Sequence, residues 1–265
     1  MSVEITSLLS LLNEISPENL AEPWDHSGIQ IDPGKENIAR VLVCLDVTNA
    51  IIDEAIITNA DFIIAHHPLI FNPIYKIDNN NFMDSLIIRL IQAKIGVYAM
   101  HTSFDKVERG NNDCLANLLG LKDLENLVPD EFNKTTGLGR IGKLASAKTL
   151  GELIETLRRI LNIATPIRYV GNKHAMIAKV ALCTGAGGNY IKLASERGCD
   201  VLITGDVGYH DALIAAGIGF SVVDGGHYHT EQIFIENVAC RLKAELENKV
   251  EILASKLDQN PFNML

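Results

Sequence analysis

The sequence predicts an α/β fold built from two related halves, and three observations carry that expectation. Short apolar runs bounded by turn residues, such as Val41-Leu42-Val43-Cys44 and Asp61-Phe62-Ile63-Ile64-Ala65, read as core strands. The segments between them space their apolar residues as helices do, so each half reads as a βαβαβ-type unit with a mainly parallel sheet. Finally, sliding the chain on itself by 139 residues lays Val41-Leu42-Val43-Cys44 on Val180-Ala181-Leu182-Cys183. Without a gap, Asp61 to Ala65 then falls on Asp200-Val201-Leu202-Ile203-Thr204, and Ile52 and Ala55 fall on Ile191 and Ala194. A repeat of half the chain points to duplicated domains rather than a solenoid, whose periods are shorter.

The elements follow in order. Leu8, Leu9, Leu11, Leu12 and Ile15 suit the buried stripe of an amphipathic first helix. Glu22-Pro23-Trp24-Asp25-His26-Ser27-Gly28 is a turn whose tryptophan is expected to anchor it in a core, with stacking on a substrate ring as the alternative. The strand over 61–65 runs straight into His66-His67-Pro68, and Ile95 to Met100 runs into His101-Thr102-Ser103-Phe104-Asp105. Leu121 to Ser146, with Pro129, Asn133 and several glycines, is expected to be the passage between halves. In the second copy Thr184-Gly185-Ala186-Gly187-Gly188-Asn189 is a strand-to-helix turn, which either merely needs small residues or holds an anion. Ile218 to Val223 pairs with Ile95 to Met100, so that His101 corresponds roughly to Asp224, and 258–262 is expected to be a loose tail. These limits assign residues 1–126 plus 225–265 to a first domain carrying most of the candidate ligands, and 127–224 to a second.

Composition narrows the function. The chain has 265 residues, 47% hydrophobic and 21% charged, enough to bury a sizeable core. Its 33 acidic residues against 23 Lys and Arg give a net charge of -10, which argues against an extended nucleic-acid surface. No apolar run approaches the roughly 20 residues that span a bilayer, and the start lacks the basic region of a signal peptide. The five cysteines are widely spaced and contain no C-x-x-C, so buried thiols in a reducing, cytoplasmic setting are expected.

The chemistry concentrates at strand ends, where open α/β sheets bind ligands. His66, His67, Asp105 and the His-x-x-x-Glu pair His227 and Glu231, which share one helix face, form a mixed imidazole and carboxylate supply. Such donors suit zinc, manganese, iron, cobalt or nickel better than calcium or magnesium. Five ligands exceed what one tetrahedral ion uses and are enough for two divalent ions about 4 Å apart, with water activated for hydrolysis. Each residue also has a plainer use. A lone histidine at a strand end is often structural, Asp105 could cap a helix, and Glu231 could sit on a solvated face. His229 points away from the His227 and Glu231 face, and His174 has no site around it.

With these residues assembled, the sequence resembles the NIF3-like family, also called DUF34 or the GTP cyclohydrolase I type 2 homologues, in its short form. The resemblance rests on Trp24-Asp25-His26-Ser27-Gly28, Ala65-His66-His67-Pro68, His101-Thr102-Ser103-Phe104-Asp105, Gly137-Leu138-Gly139-Arg140-Ile141-Gly142, the Gly185 to Gly188 loop, Gly205-Asp206 with Tyr209-His210-Asp211-Ala212, and Gly226-His227 with Glu231. It implies two intertwined α/β domains, a dinuclear metal site in the cleft between them, and a toroidal homohexamer. The metal ligands it implies are His66, His67, Asp105, His227 and Glu231, with His101 and His210 lining the cleft as proton carriers. The loop's Asn189 departs from the Ser of many relatives. The implied activity is metal-dependent hydrolysis of a nucleotide or related heterocycle. The alternatives are a non-catalytic metal-handling or protein-interaction ring, and a two-metal phosphoesterase.

Overall fold

The computed structural model describes residues 1–131, 133–247 and 249–263. The chain forms two compact units, one of Met1–Phe104 with Phe234–Gln259, the other of Asp105–Ile233 with the residues after Gln259. In chain order the elements begin with β1 (Val3–Glu4), α1 (Ile5–Ile15), β2 (Gly28–Ile31), β3 (Asn37–Ile38), β4 (Arg40–Cys44), α2 (Asn49–Ile57), β5 (Phe62–Ala65), α3 (Phe82–Ala93), β6 (Gly96–Ala99) and α4 (Thr102–Lys106). Next come α5 (Asn111–Leu118), β7 (Lys122–Pro129), β8 (Gly137–Thr149), α6 (Leu150–Ile160), β9 (Arg168–Val170), β10 (Met176–Ala186), α7 (Ile191–Glu196), β11 (Val201–Gly205) and α8 (Tyr209–Ile218). The chain closes with β12 (Ser221–Asp224), α9 (His227–Glu231), α10 (Ile233–Glu245) and β13 (Glu251–Ala254).

The first unit is an α/β sheet of order β13-β4-β5-β6-β2, parallel except for β2 on the edge. Every residue of β5 and β6 is buried, which is why these strands read as unbroken apolar runs rather than alternating ones. Ile51, Ile52 and Ala55 of α2 and Leu86, Ile87 and Leu90 of α3 pack into one core with Leu42, Ile63 and Val97. Thr48 and Asn81 start these two helices by accepting the N–H groups of Ile51 and Asp84. In α1 the stripe expected from the sequence buries Leu8, Leu12 and Ile15.

The second unit holds a six-stranded sheet of order β7-β8-β10-β11-β12-β9. Only β10-β11 and β11-β12 are parallel, so the expectation of a mainly parallel sheet fails here. The difference comes from β7 and β8, an antiparallel pair occupying the stretch expected to be a passage between halves. In β7 only Leu127 is buried, so the strand carries too little apolar pattern to be read, and Pro129 sits at its end where no ladder N–H is required. Helix α6 is held by a reciprocal Thr149 and Glu152 capping box and buries Leu150, Leu153, Ile154 and Leu157.

The central strands of the two units match in order and register. Val41 lies opposite Phe62, and Val180 opposite Val201, both pairs 139 positions apart. The third strand is offset by two residues from the sequence alignment, because Gly96 and Ser221, not Gly219, take equivalent places. His101 therefore corresponds to Gly226 rather than Asp224. In each unit's pattern a five-residue helix begins three residues after that strand: α4 after β6 and α9 after β12.

The sequence drew its domain limits at 126/127 and 224/225, whereas packing divides the chain at 104/105 and 233/234. The reason is that α5 rests on β8 and β10, and α9 on β10 and β11. Of the candidate ligands, His66 and His67 then lie in the first unit, and Asp105, His227 and Glu231 in the second. Nor is the tail loose at Gln259, whose side chain accepts from Leu45 N at 2.9 Å and donates to the Asp46 carbonyl. Cys44, Cys183 and Cys199 are buried thiols as expected, but Cys240 is exposed. No helix of the described residues is long and apolar enough to cross a membrane.

Candidate metal centre

In the first unit β5 ends at Ala65, and the His66 and His67 amides both donate to the Leu45 carbonyl, each at 3.1 Å. The backbone thereby leaves the strand, and adjacent rings that a continuing strand would splay to opposite faces instead stand 5.0 Å apart. His66 is buried, with Nδ1 2.7 Å from the Met100 carbonyl. His67 Nδ1 lies 2.8 Å from Asp46 Oδ1, and His101 Nδ1 lies 2.8 Å from Asp25 Oδ1. The three histidines offer ligand atoms within 4.8 Å of one another. His101, expected to carry protons, therefore also stands within reach of an ion held by His66 and His67.

Asp25 is the hub beneath His101. Its side chain is fully buried and accepts from Thr102 Oγ1 at 2.6 Å, Thr102 N at 3.1 Å, Ser27 Oγ at 3.0 Å and His26 N at 2.7 Å. Burial by itself would raise the Asp25 carboxyl, but the hydrogen bond and charge of His101, with the Thr102 and Ser27 hydroxyls, outweigh it and hold the group well below the usual carboxylate range. Trp24, expected in a core, is 55% exposed; burying Asp25 in this turn points its neighbour outward.

In the second unit Asp105 is buried on α4, with Asn111 Nδ2 donating to Oδ1 at 3.2 Å and Asn112 Nδ2 donating to its carbonyl at 3.0 Å. One turn of α9 sets His227 Nε2 3.0 Å from Glu231 Oε2, while His227 Nδ1 lies 2.7 Å from Asp206 Oδ2. Asp105 and Glu231, both buried, offer carboxylate oxygens within 4.8 Å of each other. Two glycines make room for this arrangement. A Cβ at Gly185, where φ is +69°, would stand 2.1 Å from Glu231 Oε1, and one at Gly205 would stand 2.5 Å from the His227 amide nitrogen. The glycine-rich turn thus lies against the Glu231 carboxylate at Gly185 and the Asp211 carboxylate at Gly188, which favours its packing use over anion binding.

His210 stands exposed at the start of α8, edge-on to Tyr209 at 5.4 Å, outside the ligand groups formed among the described residues. His174 is exposed, as expected.

The chain matches Duf34/NIF3 (NGG1p interacting factor 3) over residues 3–261. It belongs to the Duf34/NIF3 family. A Clostridium perfringens relative named GTP cyclohydrolase 1 type 2 homolog is 30% identical over 99% of this chain and 100% of its own length. A Streptococcus pneumoniae relative of the same name is 34% identical over 93% of this chain and 94% of its own. The crystal structure of a Bacillus cereus protein related to NIF3 superposes with a TM-score of 0.91, at 28% identity over 99% of both chains.

In this Duf34/NIF3 chain the donor chemistry fits a metal. His67, His101 and His227 each hold Nδ1 against a carboxylate, and His66 against a carbonyl, the arrangement that orients a histidine to meet an ion through Nε2. Two buried carboxylates near one another also favour a cation beside them. Sequence reasoning placed Asp25 and Asp206 in motifs but gave neither a role at the site, and it passed over Asp46; all three orient these rings. The available signal was position: Asp46 and Asp206 each follow a buried strand by one or two residues, as His66 does.

Proposed function

We propose that this Duf34/NIF3 protein is a two-metal hydrolase of a nucleotide or related heterocycle, cytoplasmic and assembled as a homohexamer. The observation that supports the metal reading is that the three histidine ligands, His66, His67 and His227, each hold Nδ1 against a carbonyl or carboxylate, the arrangement that leaves Nε2 to an ion. His66, His67, Asp105, His227 and Glu231 would be the ligands of two divalent transition-metal ions. When bound, such ions supply Lewis acidity and lower the pKa of water.

The chain's own residues have separate roles. Asp25 fixes the ring of His101 so that Nε2 is where a proton is taken up or delivered, with His210 as a second proton carrier. Gly185 and Gly205 let the Glu231 carboxylate and the His227 backbone approach their loops. Relatives named GTP cyclohydrolase 1 type 2 homolog make GTP the first substrate to try.

Elemental analysis of the gently purified protein beside His67→Ala and Glu231→Ala tests the ligand set. About two first-row transition ions per chain, reduced in both variants, with release of a ring-opened product from GTP, is the expected result. Metal bound without turnover of any nucleotide would move the function to a metal-handling ring, and phosphate release with the purine intact to a phosphoesterase.

A further inference from the structure

The only tryptophan in the chain is spent on the surface. Trp24 is 55% exposed and Phe71 44% exposed, and their rings lie 6.0 Å apart with planes tilted by 47°. His26, also exposed, meets Phe71 edge-on at 6.4 Å. Scattered apolar residues on a surface need no explanation, but contiguous aromatic rings beside a candidate catalytic residue do. Trp24 stands edge-on to His101 at 5.9 Å, and His101 lies 5.3 Å from His66 and 5.5 Å from His67.

The rings are also held in place. Asp25, next to Trp24, is fixed by its bonds to His101, Thr102 and Ser27, and its amide donates to the Glu22 carbonyl at 2.8 Å. Gln30 ties the two segments together, because its Nε2 donates to the His26 carbonyl at 2.8 Å and its Oε1 accepts from Ile70 N at 3.0 Å. Trp24 and Phe71 therefore project from braced turns, and a ligand ring settling on them costs little ordering.

We infer that Trp24 and Phe71 form a stacking wall for a planar heteroaromatic ring, which would lie on the exposed tryptophan face with one edge toward His101. An exposed indole face offers a flat π-system a partner of its own shape, in offset-stacked or edge-to-face geometry. The three residues bring no cation other than imidazole, so the wall takes the base of a nucleoside rather than its phosphates. This assignment rests on the proposed hydrolase reading for the identity of its ligand, and names the surface that would select it.

Because Trp24 is the sole tryptophan, its fluorescence reports this wall alone. The hexamer or whatever assembly the full chain forms is titrated with guanosine, GTP and ribose 5-phosphate, with correction for ligand absorption, and iodide quenching is measured on the unliganded protein. The wall predicts a tryptophan open to iodide, saturable quenching by guanosine and GTP, and none by ribose 5-phosphate. Calorimetric guanosine affinity is expected to fall roughly five- to hundredfold in Trp24→Ala and to survive largely in Trp24→Phe.

A tryptophan closed to iodide would mean that another copy of the chain covers it, and would overturn the wall, as would equal guanosine affinity in Trp24→Ala. Turnover of GTP measured on the same samples separates the two readings. Turnover with unchanged tryptophan emission sinks the wall and leaves the hydrolase, whereas quenching without turnover of GTP or any other nucleotide keeps the wall and sinks the hydrolase.

Discussion

Asp61 and Asp200, 139 positions apart, make the same backbone hydrogen bonds in their respective units. Asp61 Oδ2 accepts from Ala39 N at 2.8 Å and Arg40 N at 3.1 Å; Asp200 Oδ2 accepts from Ala178 N and Lys179 N, both at 2.8 Å. Their own amides donate to the Arg40 and Lys179 carbonyls. Each aspartate thus ties the start of one parallel strand to its neighbour, β5 to the start of β4 and β11 to Ala178 and Lys179 within β10. The repeat legible in the apolar residues extends to the polar bonds that set strand register.

Replacing these carboxylates should loosen each unit without touching the candidate metal ligands. Asp61→Asn and Asp200→Asn are each expected to cost about 1 kcal/mol, read as a lower urea midpoint, with metal content unchanged. For Asp61 the pH dependence has a defined sign. Burial would raise its carboxyl, but hydrogen bonds from Lys35, Ala39 and Arg40 and the Lys35 charge lower it below its unfolded value. Its stabilisation is therefore complete above the unfolded pKa of about 3.9 and fades as pH falls through the lower folded value. A gap between wild type and Asp61→Asn that widened on acidification would contradict this assignment.

What the sequence disclosed, and what it hid, follows from burial. Strands β4, β5, β10 and β11 are packed on both faces, so their apolar runs announce both the strands and the repeat. Strand β7 exposes nearly all its side chains and left no such trace. Four of the candidate ligands, His66, His67, His227 and Glu231, stood out because His-His and His-x-x-x-Glu bring reactive groups together locally. The pairing of Asp25 and Asp206 with their histidines did not, since the first joins His101 from 76 positions away and the second joins His227 from 21. A carboxylate that serves by orienting a distant ring has no local pattern, and only the folded chain pairs them. Trp24 was misplaced for a related reason: a turn that buries its aspartate turns the neighbouring ring outward, against the usual preference of a large apolar side chain.

Those orienting carboxylates should matter to metal more than to folding. Asp46 and Asp206 are substantially exposed, with side chains 41% and 57% accessible. Asp46→Asn and Asp206→Asn should each weaken metal affinity about 10- to 100-fold in competition with a chelator, while the metal-free protein melts at nearly the wild-type temperature. Unchanged affinity in both would show that His67 and His227 need no help in presenting Nε2.

Gly185 makes a sharper steric prediction. Its φ of +69° is strained for any other residue, and a methyl there would stand 2.1 Å from Glu231 Oε1. Gly185→Ala should displace the Glu231 carboxylate and lower metal content to that of Glu231→Ala, with a stability loss of about 1 kcal/mol or more from the backbone. Gly198, also at positive φ but with nothing within 4 Å, is the control. Gly198→Ala should reproduce the backbone cost and leave metal binding intact, so loss of metal in both variants would point to general instability instead.

The Asp25 and His101 pair separates orientation from coordination. Asp25→Asn keeps the shape of the turn but removes the charge that His101 Nδ1 and the Thr102 and Ser27 hydroxyls meet, so the imidazole is no longer held in one tautomer. If His101 carries protons in the proposed hydrolysis, turnover should fall tenfold or more, the pH-rate profile should change shape, and metal content should stay at the wild-type level. His101→Ala should lower turnover to a similar level, and combining the two substitutions should add little, because both disable one unit. Loss of metal in Asp25→Asn would instead make His101 a ligand beside His66 and His67, and proton transfer would then fall to another group, with exposed His210 the first to test.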